Sequence, residues 1–97
     1  SAEFKVASSV LKSGWLTHGE YNKKFENLFK KLTKTKYALT LNSCTSALEL
    51  AIKCQNITKE VIVPSFTWVS SANAIITSGA KPVFCDSDFK TRNVTLK

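Results

Sequence analysis

Ninety-seven residues leave room for one domain at the small end of the usual range. A mean hydropathy of −0.07, with no apolar run of about 18 residues, excludes a membrane-spanning helix, and 3 glycines with 2 prolines exclude collagen-like and low-complexity chains. The net charge of +7 is concentrated at the start, where residues 1–36 carry eight lysines against three glutamates.

Arg92 is the one arginine among 14 cations, and arginine is the residue suited to bidentate phosphate and guanine contacts. A solvated lysine face is therefore expected rather than a nucleic-acid footprint. Cys44, Cys54 and Cys85 are odd in number and widely spaced, and no secretory leader is visible at the start. Reduced thiols in a cytoplasmic protein are expected. With His18 the single histidine and no Cys-x-x-Cys pair, no metal site is expected.

The predicted elements alternate along the chain. Phe4 to Lys12 is a short helix stopped by Gly14, and Trp15 to Gly19 is a loop. Glu20 to Thr33 is a second helix, with Tyr21, Phe25, Leu28, Phe29 and Leu32 on one stripe and lysines opposite. Tyr37 to Leu41 is a predicted strand, Asn42 to Thr45 a tight turn, and Ser46 to Cys54 a helix with Leu48, Ala51 and Ile52 inward. Val61 to Val63 is a strand closed by Pro64, Trp68 to Ser78 a helix stopped by Gly79, and Pro82 to Cys85 a strand followed by Asp86, Ser87 and Asp88. The tail to Lys97 reads as irregular or a short strand.

Two leading helices (residues 1–34) thus precede a β-α-β-α-β stretch (residues 35–97). Strands alternating with helices of about ten residues imply crossovers and a mainly parallel sheet flanked by helices, an α/β fold. The strands read as apolar runs, as in sheets covered on both faces. Ligands of such sheets sit at the carboxyl ends of the strands. Three loops fall there: Asn42–Thr45, Pro64–Trp68 and Asp86–Asp88.

Asn42-Ser43-Cys44-Thr45 joins a strand to a helix start, where free amides and the helix dipole favour an anion. Small residues let the backbone approach a phosphate, although Ser43 or Thr45 serves equally as a plain N-cap. No glycine signature of a nucleotide-binding loop is present. Trp68 falls at the mouth of the sheet, where an indole stacks on a flat heteroaromatic ligand or simply packs into the core. Asp86 and Asp88 are acid/base or metal candidates, with solvated turn caps as the competing reading.

Four motifs in combination are more specific: Ser13-Gly14-Trp15-Leu16-Thr17, Asn42-Ser43-Cys44-Thr45-Ser46-Ala47-Leu48, Val61-Ile62-Val63-Pro64-Ser65-Phe66-Thr67, and Gly79-Ala80-Lys81-Pro82-Val83-Phe84. From about Ser8 onward the chain resembles the N-terminal quarter of the DegT/DnrJ/EryC1/StrS family of sugar aminotransferases, which use pyridoxal 5′-phosphate (PLP) and share the fold type I architecture. The resemblance implies that the chain is an incomplete part of the large PLP-binding domain. It implies that the Cys44-Thr45 step binds the PLP phosphate through backbone N–H and hydroxyl, with Cys44 in place of the more usual glycine. It implies that Trp68 stacks on the pyridine ring and that the Trp15–Gly19 loop, Thr17 included, lies near the sugar-nucleotide substrate.

The family's Schiff-base lysine and the acidic partner of the pyridine nitrogen come later in its sequences, beyond Lys97 here, so no catalytic residue is expected within the chain. The resemblance therefore implies an N-terminal fragment or split gene product, inactive alone. Its parent would transfer an amino group from a glutamate-type donor to a keto-sugar nucleotide for amino-sugar biosynthesis, as a homodimer with shared active sites. A related branch dehydrates sugars instead and has histidine at the lysine position. Outside the resemblance, two other expectations stand. One is a non-catalytic interaction module pairing through open strand edges; the other is a basic nucleic-acid binder built on Lys23–Lys36.

Overall fold

A computed structural model describes residues 1–95 and divides the chain into two compact units, Ser1–Thr40 and Leu41–Lys97. In the first, helix α1 spans Ala2–Ser13 and helix α2 spans Glu20–Thr33. Ser1 caps α1 by accepting from the Phe4 amide. Gly14, at φ 70°, ends it in the left-handed conformation that glycine adopts without a Cβ clash, and its N–H donates to Leu11 O. Lys34 takes the same conformation after α2. The apolar stripe of α2 forms as its spacing predicts, with the Phe25 and Phe29 rings 6.0 Å apart, yet all five of its residues are exposed within the described chain.

The second unit holds helix α3 (Cys44–Cys54), strand β1 (Glu60–Pro64), helix α4 (Val69–Thr77) and strand β2 (Lys81–Cys85). The strands pair in parallel with Glu60 opposite Lys81 and Pro64 opposite Cys85, and α4 is the crossover between them. This is an α/β arrangement. α4 packs on both strands and on α3. Val63 and Ile75, each 4% exposed, form the core with Ala80, and Ile52, Ile57 and Val61 close around them. α4 ends in a Schellman motif: Gly79 at φ 86° donates to Ile76 O and Ala80 to Ile75 O, while the Ile75 and Ala80 side chains meet in the core.

Two expectations are corrected. Tyr37–Leu41 joins no β-ladder among the described residues. A parallel strand exists only by pairing, and β1 and β2 pair with each other alone. Residues of strand-forming type therefore stay outside the sheet when no neighbouring strand is present to receive them. The sheet is also covered on one face only, since Ile62, between Val61 and Val63, is 70% exposed. The apolar run of β1 suits two covered faces, and the described residues supply one.

Candidate functional site

The Asn42–Thr45 segment is shorter as a turn than its sequence predicts, because α3 already begins at Cys44. Ser43 is the N-cap. Its Oγ accepts from the Ser46 amide at 3.1 Å, and its carbonyl accepts from the Ala47 amide. The Cys44 and Thr45 amides have no hydrogen-bond acceptor among the described residues, as the first amides of a helix do not. No acidic residue occupies the first turn. The capping and anion-binding roles read as alternatives in the sequence are thus divided between neighbours: Ser43 caps, and Cys44 and Thr45 present free donors beside the Thr45 hydroxyl. Cys44 is exposed and has helical backbone dihedrals, so cysteine in place of glycine carries no left-handed strain.

Trp68 is the N-cap residue of α4, with φ −68° and ψ 136°, and its carbonyl accepts from the Ser71 amide. The indole is 78% exposed and packs in no core of the described chain. The sequence therefore places an unblocked helix start and a bare aromatic on two helices that pack together.

The two aspartates of the loop after β2 stand in different surroundings. Asp88 is a turn acceptor. Its Oδ1 takes hydrogen bonds from the Thr91 amide at 2.9 Å, the Lys90 amide at 3.0 Å and the Thr91 hydroxyl. The Thr91 amide is the main cause that holds its carboxyl below the ordinary aspartate value. Asp86 is exposed. A cleft of about 340 Å³ lies here, at the carboxyl ends of both strands, where the Arg92 guanidinium sits 5.4 Å over the Phe66 ring. The Ser87 hydroxyl lining it is buried and has no hydrogen-bond partner among the described residues.

Thr17 belongs to the first unit, and Cys44, Thr45 and Trp68 belong to the second. It is exposed and lines a cleft of about 640 Å³ with Ser9, Ser13, Trp15, Tyr21 and Lys23. Its loop is tied at several points. Trp15 Nε1 donates to His18 O at 3.2 Å, and the Gly19 amide donates to Asn22 Oδ1 at 3.1 Å. Glu26 Oε1 accepts from the Thr40 amide and hydroxyl, both at 2.8 Å, and from His18 Nε2 at 3.1 Å. The Thr40 amide first, then its hydroxyl and His18, hold the Glu26 carboxyl down to about 2. Glu26 and Asn22 are not among the site residues that the sequence predicts. They stand one turn apart on α2, between its apolar stripe and its lysines, and Lys30 continues their row.

A family model for the DegT/DnrJ/EryC1/StrS aminotransferase family matches residues 1–97. An uncharacterised protein of Methanocaldococcus jannaschii is 39% identical over 97 residues, which cover 98% of this chain and 25% of that protein. The structure of an E. coli GDP-4-keto-6-deoxy-D-mannose-3-dehydratase with bound hydrated PLP superimposes with a TM-score of 0.85 at 32% identity, over 96% of this chain and 26% of that one. A Streptococcus pneumoniae protein designated a sugar aminotransferase, in its PLP form, gives a TM-score of 0.81 at 36% identity, over 92% of this chain and 23% of that one. The chain spans about a quarter of the length of these relatives.

Proposed function

The chain belongs to the DegT/DnrJ/EryC1/StrS aminotransferase family, and we propose that it forms the phosphate- and ring-binding part of a PLP-dependent enzyme that aminates keto-sugar nucleotides with a glutamate-type donor. The observation that carries this reading is the open start of α3. Two free amides, a hydroxyl and a helix dipole converge where no acidic side chain competes, which is the donor chemistry that a phosphate dianion needs. Trp68 adds an exposed flat surface for a pyridine ring. Both fit PLP, and both suit a cofactor held without a metal ion.

PLP, when bound, supplies an electron sink for chemistry at the carbon bearing the amine. The residues of this chain bind and orient it. The Cys44 and Thr45 amides and Thr45 Oγ1 donate to the phosphate, Ser43 keeps the first turn of α3 intact, and Trp68 covers one ring face. Thr17 contacts the nucleotide sugar from its own loop. No lysine of residues 1–97 takes the role of bonding the cofactor, and the chain does not transaminate by itself. A homodimer is the assembly in which the parent works.

The test uses the gene product at the length of its relatives, with PLP, glutamate and a keto-sugar nucleotide. Amine transfer is expected, and borohydride is expected to fix the cofactor on a lysine outside residues 1–97. A reduced adduct on a lysine within them, or on none with no amine transferred, overturns the proposal. The similarity to a dehydratase structure at a TM-score of 0.85 favours one second reading, sugar dehydration on the same cofactor site. Loss of a sugar hydroxyl, without net amine transfer, would select it.

A further inference from the structure

We infer that Glu26 is a positioning residue for nucleotide-sugar binding, pinning the His18 end of the Trp15–Gly19 loop to Thr40 and so fixing one wall of the 640 Å³ cleft. The inference rests on the functional reading above, and it concerns a side chain that does not line the cleft itself.

The geometry begins with helix direction. Side chains of a helix lean toward its N-terminus, so Asn22 and Glu26, one turn apart on α2, reach back toward the loop that precedes the helix. Asn22 takes the Gly19 amide at the last loop residue and lies 3.4 Å from Thr40 Oγ1. Glu26 takes His18 and Thr40 on one oxygen. Its side chain is 13% exposed, whereas that of His18 is 47% exposed. The carboxylate is therefore the sheltered centre, and the histidine is the arm that it restrains. Trp15 adds the third tie by donating to His18 O.

Thr17 sits between Trp15 and His18, and both of these neighbours are held. Removal of the Glu26 carboxylate leaves the Thr40 amide and hydroxyl without their acceptor and frees the His18 ring. The loop then keeps its ties at Trp15 and Gly19, none of which holds the His18 ring, and Thr17 samples more positions along the cleft wall. A substrate-binding group that must first be ordered weakens binding, whereas a cofactor seated on α3 and α4 is unaffected.

The experiment uses the full-length protein loaded with PLP and compares Glu26→Ala, Glu26→Gln and the exposed strand variant Glu60→Gln as a charge control. It measures the KM for nucleotide sugar and for amino donor, PLP affinity, and amide exchange at Thr40. Glu26→Ala is expected to raise the nucleotide-sugar KM about tenfold, the factor that one charge-assisted hydrogen bond carries. PLP affinity and the donor KM stay at the wild-type level, and exchange at Thr40 accelerates. Glu26→Gln, which keeps a carbonyl acceptor for Thr40, is expected to recover part of the loss. If Glu26→Ala does not fold, Thr40→Val, which deletes the hydroxyl's bonds with Glu26 and Asn22 and keeps the amide bond to Glu26, must show a selective rise in the nucleotide-sugar KM of smaller size. An unchanged sugar KM, or a parallel loss of sugar, donor and PLP binding, overturns the inference while the wild type still turns over. A wild type with no PLP-dependent turnover overturns the functional reading itself and this inference with it.

Discussion

Gly19 is needed for space, not for backbone freedom. Its φ of −134° is open to any residue, but a Cβ there would meet Trp15 Cδ1 at 2.9 Å and Nε1 at 3.2 Å. Gly19→Ala is expected to push the indole off His18 O. The check is Trp15 fluorescence in a Trp68→Phe background, with helix content unchanged by circular dichroism. At the cofactor site, Thr45→Val removes one hydroxyl donor to a charged acceptor. A loss of about 1.5 kcal/mol is expected, or roughly tenfold in PLP affinity by spectroscopic titration. Glu26 gives a pH signature. Its folded value of about 2 lies below the unfolded value of about 4.3. Its contribution is therefore complete above the unfolded value and is lost as pH falls through the folded one. Acid between about pH 4.5 and 2 should destabilise the wild type more steeply than Glu26→Gln, as read from urea midpoints along a pH series.

Each element of the second unit carries its own stop and start signals, and these make the next predictions local. Ser43 caps α3 through the Ser46 amide, so Ser43→Ala is expected to cost about 1 kcal/mol. PLP affinity should fall with it as the first turn frays. Gly79 stands in open space at φ 86°, so Gly79→Ala suffers strain without a clash, about 1 kcal/mol. Ile75→Ala opens the small core beside Val63 and Ala80, and a cost of about 2–5 kcal/mol is expected. Denaturant unfolding of the full-length variants ranks the three, and Ile75→Ala should rank last in stability. These ends were legible because capping involves residues within one turn of each other. α2 has the bounds its stripe predicts, and α1, β1, α4 and β2 differ from expectation by two residues or fewer at either end. α3 begins two residues early, because Ser43, not Thr45, is the cap.

At the scale of the molecule, a two-stranded parallel sheet with one covered face is an unusual end state, since parallel sheets are stable when layered on both sides. The bare faces are Ile62 on the sheet and the Phe25, Leu28 and Leu32 stripe on α2. Residues 1–97 alone are therefore expected to bind an apolar dye and to lack a sharp thermal transition. The full-length protein is expected to bind little dye and to melt cooperatively. A cooperative, dye-silent transition of the 97 residues would contradict this.

What the residues of the chain determined alone was whatever depends on near neighbours. Helix periods, caps and turn glycines are written in spacing, and the four motifs carried the family and its cofactor chemistry. Tertiary structure decided what depends on distant partners. Tyr37–Leu41 has the composition of a strand, but a ladder needs a second strand beside it, and none is present among the described residues. Glu26 is an ordinary helical glutamate in sequence. Only the return of the chain to Thr40, fourteen residues later, turns it into the acceptor that holds the loop, because a hydrogen bond is set by position in space and not by order along the chain.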